Sequence, residues 1–379
     1  MADGPDLPSD ALRQGSGQAS RFTLHEQIGR LLFVGIPGPV LDAATRRTLE
    51  DLHVGGVILF RRNVGTPAEI SALTAALHAL PSQPLVAIDH EGGRVLRLGE
   101  PFTQFPPAAA VGRTHDPALA YRVGRAMGEE LASVGIDLNF APVLDVHSNP
   151  TNPIIGDRAF GSDPALVSEM GIALMRGLHD GGVLSCGKHF PGHGDTEKDS
   201  HLELPVVRRS RAELERTELV PFRAAIAAGV PMLMSAHVLY PALDADHPAT
   251  LSRQILTNLL RSELGFAGVV ASDDLDMRAI TDHRTIGDAA VATLQAGIDA
   301  LLVCQELPHA VEAFTAIDNA VAKGLLDASL VTAAAARIQR LRARRADGAA
   351  VERRLPSEQH RALLRELHAI SGTQRRCSQ

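Results

Sequence analysis

Eight short apolar runs, separated by longer segments of helical periodicity, constrain the fold of this 379-residue chain more than any other feature. The runs span residues 31–36, 56–60, 85–89, 137–146, 183–188, 231–237, 268–273 and 300–304. Parallel strands are buried on both faces and need helical crossovers, so this alternation indicates a parallel sheet. Eight alternations, with no GxGxxG motif after the first run, predict an α/β fold with a single (β/α)8 TIM-like barrel rather than an open doubly wound sheet.

The two ends of the chain differ in composition from the segment that carries these runs. Residues 1–22 are rich in Asp, Pro, Gly and Ser and contain no apolar run, so we expect a flexible N-terminal segment and no export signal. The catalytic barrel is expected over residues 23–340, followed at 341–379 by an Arg-rich helical C-terminal extension. The extension either packs on the outside of the barrel, which we favour, or serves as a binding arm.

Charge and composition limit the partners of the chain. Lys and Arg number 37 against 44 Asp and Glu, a formal net charge of −7, whereas binding to nucleic acid or to an anionic membrane needs clustered cations. No stretch approaches the roughly 18 apolar residues of a membrane span. Cys186, Cys304 and Cys377 have no CxxC or Cys/His spacing, so neither disulfides nor structural zinc are indicated. We expect a cytoplasmic monomer that acts on a small molecule, with no nucleic-acid or membrane partner.

Polar side chains stand at or just past the C-terminal ends of the predicted strands. They are Asp89, Asp145, Lys188, His189, His237 and Asp273. In a barrel these strand ends meet at one face, where the following loops build the active site. An open sheet also binds its ligands at strand ends, so the placement predicts a functional face in either fold.

The segment 188–201, KHFPGHGDTEKDSH, concentrates three histidines and three acidic residues within fourteen positions. Gly192 and Gly194 permit a backbone with positive φ, so the segment can fold back over a pocket. Asp199 and His201 are two residues apart and project to one face of an extended chain, where the carboxylate could orient the imidazole for proton transfer. Alternatively, the pair forms a hydrogen bond that only stabilises the loop.

Metal binding is a further alternative for this segment. Its possible ligands are His189, His193, Asp195, Asp199 and His201. They lie on one glycine-containing loop without the helical HExxH spacing that pre-organises a zinc site, so we expect neither a metal nor a cofactor.

The segment 269–277, VVASDDLDM, ends a predicted strand with two adjacent carboxylates. Neighbours on an extended chain point to opposite sides, so only one of the two is expected to face a pocket. Asp273 directly follows the strand, and an ionised carboxylate there could act as a nucleophile. Asp274 is the better candidate for a cap of the following helix.

Residues 89–97, DHEGGRVLR, follow another strand and place two guanidinium groups and a carboxylate around a Gly-Gly pair. Such a set suits bidentate recognition of sugar hydroxyls and an acyl carbonyl. For Glu91 and Arg94, we favour an ion pair that only supports the structure. Arg158, in the segment GDRAFG, is similarly placed after the predicted strand 137–146.

Together, the segments KHFPGHGDTEKDSH, DHEGGRV, RAFG and SDDLDM resemble family 3 glycoside hydrolases, and among them the bacterial β-N-acetylglucosaminidases of cell-wall recycling. The resemblance covers residues 28–320, and its most specific part is the long histidine-containing segment. It implies that Asp273 is the nucleophile and that His201 is the acid/base, with Asp199 as its partner. The positions that it implies to contact the sugar are Asp89, Arg97, Arg158, Lys188 and His189.

The resemblance further implies a retaining, two-step hydrolysis without metal or cofactor, in which imidazole replaces the second carboxylate of the usual glycosidase pair. The implied substrate is a muropeptide whose terminal N-acetylglucosamine is linked to an anhydromuramic acid that carries a short peptide. His90 departs from the family pattern, where glutamine is expected, and so does Asp276, where serine is frequent. Three alternatives stay open, namely a metal-dependent hydrolase, a non-catalytic sugar-binding barrel, and phosphorolysis in place of hydrolysis.

Overall fold

A computed structural model describes residues 22–196, 204–345 and 357–377. The chain forms a closed barrel of eight parallel strands with helices around its outside. Each of the eight predicted apolar runs overlaps one barrel strand, so the predicted (β/α)8 fold is confirmed.

The order of the strands around the barrel is their order along the chain. The barrel strands are β1 (Leu32–Gly35), β2 (Gly56–Leu59), β3 (Leu85–Ile88), β4 (Leu138–Asn139), β5 (Leu184–Phe190), β6 (Met232–Ser235), β9 (Val269–Asp274) and β10 (Ala300–Val303), while β7 (Leu239–Tyr240) and β8 (Asp244–Pro248) form a small antiparallel hairpin. The barrel closes where β1 pairs with β10, with Leu32 opposite Leu301.

Helices connect the strands and continue beyond the last one. They are α1 (Leu24–Arg30), α2 (Ala43–Leu52), α3 (Pro67–His78), α4 (Ala108–Gly112), α5 (Pro117–Ser133), α6 (Pro164–Asp180), α7 (Arg211–Arg216), α8 (Leu219–Ala227), α9 (Arg278–Thr281), α10 (Ile286–Ala296), α11 (Leu307–Ala322), α12 (Ala328–Arg342) and α13 (Glu358–Cys377). Short 3-10 turns lie at Arg61–Asn63, Gly156–Arg158 and Ala249–Leu251, and a π-helix spans Gln254–Glu263.

Local sequence signals explain where several helices begin. The Thr66 hydroxyl accepts a hydrogen bond from the Glu69 N–H, the Glu69 carboxylate accepts one from the Thr66 N–H, and Pro67 is the first residue of α3. Such a reciprocal cap satisfies backbone donors that have no partner within the helix. At the start of α6, Asp163 is the capping residue, as Thr66 is for α3, and Pro164 is the first residue of the helix. These caps determine where the strand-to-helix loops end, and those loops form one face of the barrel.

The barrel interior is filled by side chains of its strands. Phe33, Leu85, Cys186, Met232 and Ala300 lie on the inward face of their strands, are fully buried and belong to one continuous apolar cluster. A filled interior leaves the strand ends and their loops as the part of a barrel that can form a binding site.

One predicted strand is much shorter than expected. The apolar run 137–146 contributes only Leu138–Asn139 to the regular ladder, and the chain rejoins the sheet at a single bridge between Val143 and Lys188. Pro142 has no N–H to donate, so the ladder cannot continue through it. The prediction of a long strand at 137–146 was therefore wrong, although the residues up to Val146 are buried.

The described part of the C-terminal extension packs against the outside of the barrel. Helix α13 contributes Leu363 and Leu367 to an apolar cluster that also contains Leu119 and Val123 of α5. Within the described ranges, no helix combines the length and the apolar character that crossing a membrane would require.

Candidate active site

A cavity of about 280 Å³ lies at the C-terminal ends of the barrel strands. Six of the eight site residues predicted from the sequence line this cavity: Asp89, Arg97, Arg158, Lys188, His189 and Asp273. The other two, Asp199 and His201, lie outside the described residues. Apolar side chains complete the lining, among them Ile58, Phe60, Phe140, Ile154, Met234, Met277 and Leu302. A mixture of charged and apolar walls is typical of sites that bind a small polar ligand.

Lys188 and Arg158 join two carboxylates along one side of the cavity. Lys188 Nζ lies 2.7 Å from Asp89 Oδ1 and 2.6 Å from Glu91 Oε1. Arg158 donates two hydrogen bonds of 2.8 Å, one to each carboxylate oxygen of Glu91. Arg97 Nη2 lies 3.6 Å from Asp89 Oδ2. We call these five residues the cationic wall, because three positive side chains face two negative ones.

The surroundings of Glu91 and Lys188 keep both groups charged. Burial raises the pKa of the Glu91 carboxyl, but Arg158 and Lys188 more than offset this effect and hold that pKa well below its usual range. Burial lowers the pKa of the Lys188 ammonium, yet Asp89 and Glu91 together raise it above its ordinary value. The cationic wall is thus a fixed, charged surface that offers strong hydrogen bonds to a polar ligand.

Glu91 and Arg94, which we expected to support the structure as ion-paired groups, do different things. Arg94 lies at the surface, 3.1 Å from Asp157, and donates a hydrogen bond to the carbonyl of Ile154, so it supports a loop. Glu91 is ion-paired too, but its partners are in the cationic wall and its side chain lines the cavity. Sequence reasoning missed this position because both partners of Glu91 come from other strand-and-loop units.

Asp145 holds both the ring and the backbone of His189. Its Oδ2 lies 2.7 Å from His189 Nδ1, and its Oδ1 accepts hydrogen bonds from the N–H groups of His189 and His193 at 3.1 and 2.6 Å. Burial raises the pKa of the Asp145 carboxyl, but the two histidines lower it below its ordinary value. A carboxylate at Nδ1 leaves Nε2, on the opposite side of the ring, for a ligand. The sequence placed Asp145 at a strand end but did not show this role.

Asp273 and Asp274 both line the cavity, so the expectation that only one of them would face a pocket was wrong. Along β9, Ala271 pairs with Ala300 and Asp274 with Leu302, so β9 carries one residue more than β10 between these pairs. Such a β-bulge breaks the alternation of side chains on which the expectation rested.

Asp274 does not cap the helix that follows it, which corrects a second expectation. Its Oδ1 accepts hydrogen bonds from the N–H groups of Asp276 and Cys304, each at 3.1 Å, and α9 begins without a side-chain cap. Burial, the nearby Asp276 and, to a smaller extent, Asp273 raise the pKa of the Asp274 carboxyl to about 7. We call Asp273, Asp274 and the buried Asp276 behind them the acidic wall.

The two glycines of the histidine-containing segment serve different purposes. Gly192 has a φ of 136°, as its predicted freedom allows, and its carbonyl accepts a hydrogen bond from the Tyr240 hydroxyl. Gly194 is required for close approach instead, because a Cβ there would meet the carbonyl oxygen of Val146 at 1.6 Å. Both contacts hold the start of this segment against the barrel.

His193 lies three residues before Thr196, and its side chain lines the cavity. Burial and the nearby His189 lower the pKa of the His193 imidazole to about 4, so this ring is neutral at neutral pH. Asp199 and His201 follow after Thr196, the last described residue before the gap. The proton-transfer roles of these two residues remain predictions.

The possible metal ligands that can be placed have other partners. His189 Nδ1 contacts Asp145, His193 Nδ1 lies 2.9 Å from the Thr196 hydroxyl, and Asp195 pairs with Arg209 at 2.9 Å. In the described parts of the chain, no group of three or more His, Cys, Asp and Glu side chains is arranged to hold a metal ion. The expected absence of metal and cofactor stays a prediction.

Comparison with known sequences identifies the family. The Glycosyl hydrolase family 3 N terminal domain matches residues 23–341 of the chain. A β-hexosaminidase of Nitrosomonas eutropha is 42% identical over 293 residues, which are 76% of this chain and 84% of that protein.

Solved structures agree with the sequence match. A glycoside hydrolase family 3 β-N-acetylglucosaminidase from Paenibacillus sp. str. FPU-7 has a TM-score of 0.90 at 40% identity, over 92% of this chain and 69% of that one. NagZ from Neisseria gonorrhoeae in complex with N-trifluoroacetyl-D-glucosamine has a TM-score of 0.77 at 35% identity, over 90% of this chain and 98% of that one. The same NagZ has also been solved in complex with a zinc ion. The chain therefore belongs to glycosyl hydrolase family 3, and it is a glycoside hydrolase of the β-N-acetylhexosaminidase kind.

Proposed function

We propose that this chain is a retaining exo-β-N-acetylglucosaminidase that removes terminal N-acetylglucosamine from cell-wall muropeptides. One observation carries the proposal: six predicted site residues, from four strand-and-loop units, converge on one cavity. Within it, the cationic wall comes from the C-terminal ends of β3, β4 and β5 and their loops, and the acidic wall comes from the end of β9 and the residues that follow it. The related NagZ complex with N-trifluoroacetyl-D-glucosamine supports an N-acylated sugar as the ligand.

The shape of the cavity supports removal of a terminal sugar. Its volume of about 280 Å³ is just below the range of ordinary ligand pockets, which runs from roughly 300 to 1,000 Å³. A filled barrel interior closes the cavity from below. One sugar ring at a chain end fits such a space, whereas a continuous polysaccharide would need an open groove.

In the first step of the proposed mechanism, the Asp273 carboxylate attacks the anomeric carbon and forms a glycosyl ester. The bond from that carbon to the leaving-group oxygen breaks as His201 donates a proton to this oxygen. In the second step, His201 accepts a proton from water, the water oxygen attacks the anomeric carbon, and the Asp273 carboxylate is released. Asp199 orients the imidazole in both steps.

The remaining predicted residues bind and position the sugar in this proposal. Asp89 accepts hydrogen bonds from hydroxyl groups of the sugar, and Lys188 donates hydrogen bonds to them. Arg158 and His189 complete the polar contacts. Arg97, at the rim of the cationic wall, binds the acyl carbonyl or a neighbouring hydroxyl. Glu91 acts through its partners, because its two ion pairs hold Lys188 and Arg158 in place.

The natural substrate, the location and the assembly state belong to the same proposal. The leaving group is an anhydromuramic acid with a short peptide, the enzyme works in the cytoplasm, and it does so as a monomer. Their support is the resemblance to enzymes of cell-wall recycling, which the match of the family over residues 23–341 strengthens.

A trapping experiment tests the nucleophile directly. A 2-acetamido-5-fluoro β-glycoside with an activated leaving group is expected to form a stable ester on Asp273, because fluorine at C5 slows both steps and the activated leaving group compensates for this in the first step only. Peptide mass spectrometry then locates the label. A label on Asp274 would move the nucleophile by one residue, and a label elsewhere would refute the mechanism.

Simple assays separate the proposal from its alternatives. Hydrolysis of p-nitrophenyl N-acetyl-β-glucosaminide is expected to be much faster than that of the glucoside and insensitive to EDTA. Loss of activity with EDTA, regained with zinc, would support a metal-dependent hydrolase. A sugar 1-phosphate formed in phosphate buffer would show phosphorolysis, and binding of the sugar without turnover would indicate a non-catalytic barrel.

A further inference from the structure

The last described helix, α13, reaches the interior of the protein through one buried histidine. His360 Nδ1 lies 2.8 Å from Glu130 Oε1, and its Nε2 lies 3.3 Å from Glu129 Oε2, both carboxylates belonging to α5. Burial lowers the pKa of the imidazole, but Glu130 and Glu129 more than offset this and raise it above its ordinary value. The docking of α13 thus rests on a charge-assisted contact in addition to the apolar contacts of Leu363 and Leu367.

Glu130 connects this histidine to the loop that carries Asp89, Glu91 and Arg97 of the cationic wall. The loop, residues 89–107, lies between β3 and α4. The Thr103 hydroxyl donates a hydrogen bond to Glu130 Oε1 at 2.6 Å, and the Thr103 N–H donates one to Oε2 at 2.8 Å. Glu130, Thr103 and His360 are all buried, so the network is shielded from competing water.

The segment after Thr103 packs directly against the Gly-Gly turn of the same loop. The Gly93 N–H donates a hydrogen bond to the Phe105 carbonyl at 2.9 Å. Gly92 and Gly93 have φ values of 106° and 58°, and a Cβ on either would meet Pro106 or Pro107 within 2.6 Å. Because no space remains between these two segments of the loop, a shift of residues 103–107 must move the Gly-Gly turn.

The Gly-Gly turn in turn determines the positions of the two cationic-wall residues that flank it. Glu91 precedes it and Arg97 follows it, and the Glu91 N–H donates a hydrogen bond to the carbonyl of Val95 at 2.8 Å. The Phe105 ring belongs to the apolar cluster that includes Leu363 and Leu367 of α13. Polar and apolar contacts therefore run in parallel from α13 to the loop.

We infer that α13 is a positioning element of the active site, in which His360 holds the loop 89–107, through Glu130 and Thr103, in the conformation that binds the sugar. A helix that served stability alone would gain more from apolar packing, since replacing buried charged networks by apolar side chains often stabilises a protein. A fully bonded polar network instead specifies one geometry, and here its far end is the loop of Asp89, Glu91 and Arg97. The inference rests on the proposed sugar-binding role of that loop.

The test compares two histidines of the same helix in the full-length chain. His360→Ala removes the buried contact, whereas His368→Ala changes an exposed residue of α13 and serves as the matched control. His360→Asn retains a donor close to the position of Nδ1. We measure kcat and KM on p-nitrophenyl N-acetyl-β-glucosaminide and hydrogen exchange of peptides from residues 89–107, well below the unfolding temperature of every variant.

For His360→Ala we expect KM to rise roughly 3- to 10-fold, with kcat changed by less than about twofold, because the loop binds the sugar but does not react with it. Exchange in peptides 89–107 becomes faster, His360→Asn reverses part of both effects, and His368→Ala matches the unchanged protein. If His360→Ala does not fold, Thr103→Val breaks the same network from its other end, and a rise of about twofold in KM is expected.

Unchanged KM and unchanged exchange in peptides 89–107 in a folded His360→Ala or Thr103→Val variant would overturn the inference, even if the variant unfolds at a lower temperature. The proposed function fails separately, if the unchanged protein does not hydrolyse the substrate. The exchange measurement alone then decides whether α13 positions the loop.

Discussion

The two walls of the cavity are built on opposite electrostatic principles. In the cationic wall, Glu91 is buried between Arg158 and Lys188, which hold its pKa well below the usual range. In the acidic wall, Asp274 is buried beside Asp276 and forms no ion pair within the described ranges, and its pKa rises to about 7. Burial raises the pKa of both carboxyl groups, so the difference arises from their neighbours.

This difference indicates what each wall can do. Groups with fixed charge and mutual ion pairs keep their positions, which suits the recognition of hydroxyl groups. A cluster of neighbouring carboxylates repels added negative charge and stabilises positive charge, which suits a sugar whose anomeric centre becomes positive in the transition state. Four substitutions test this difference between the walls.

Removing the nucleophile in the acidic wall is expected to have the largest effect. Asp273→Asn keeps the size of the side chain but removes the charge that attacks the anomeric carbon, so kcat is expected to fall by about 10⁴-fold or more. Steady-state kinetics on the p-nitrophenyl substrate measure the loss. Asp246→Asn, at an exposed position of β8, is the control. A fall of less than about tenfold would end the proposed role of Asp273.

Removing the proposed acid/base, His201, is expected to have the second largest effect. His201→Ala is expected to reduce kcat/KM by about 10²- to 10⁴-fold for a poor leaving group such as an alcohol. The loss should be much smaller for p-nitrophenol, because an acidic phenol needs little protonation in the first step. Rates on a series of leaving groups check this, and equal losses across the series would contradict the role of His201.

Lys188 tests the cationic wall. Lys188→Met leaves Asp89 without its closest cation and weakens the compensation of Glu91, so kcat/KM is expected to fall about 10- to 100-fold. The free energy of unfolding is expected to drop by about 3 kcal/mol, because one partner of a buried ion pair is removed. Kinetics and denaturant unfolding measure the two changes, with the exposed Lys323→Met as control. An effect on stability alone would assign this wall a structural role only.

The smallest effect concerns the other carboxylate of the acidic wall. The folded-state pKa of Asp274 is raised, so the folded protein retains a proton there that the unfolded chain releases near its ordinary value. Stability contributed by this proton is present at low pH and is lost as the pH rises through about 7. Asp274→Asn mimics the protonated group, so the variant should gain a few degrees in Tm relative to the unchanged protein between pH 5 and pH 9.

Activity provides a second measure of the same titration. The rates of Asp274→Asn and the unchanged protein should agree at pH 5 and differ by a few-fold at pH 9, where the unchanged cavity carries one more negative charge. A difference in Tm and in rate that does not vary with pH would show that Asp274 has no raised pKa.

Much of the fold and part of the site could be predicted from the sequence. The eight apolar runs indicated a closed barrel, and the polar residues at their ends indicated one functional face, because both signals are local patterns along the chain. The residues Asp89, Lys188, His189 and Asp273 were predicted on this basis and line one cavity.

The errors occurred where the outcome depends on pairing between distant segments. The extra residue of β9 opposite β10 turns Asp274 into the cavity, and nothing in the sequence around it marks a bulge. The ladder of β4 stops after Asn139, ahead of Pro142, although the apolar run continues to Val146. Glu91 could not be assigned to the cavity without knowing that Arg158 and Lys188 meet there.

The sequence was enough to predict the barrel and most of the site residues at its C-terminal face. These follow from hydrophobic periodicity and from the short range of helix caps and turns. Which charges meet, such as Glu91 with Lys188 and His360 with Glu130, could be seen only in the folded protein. The reason is physical: burial and charge compensation depend on distances between groups that are far apart along the chain, and these distances exist only once the barrel has closed.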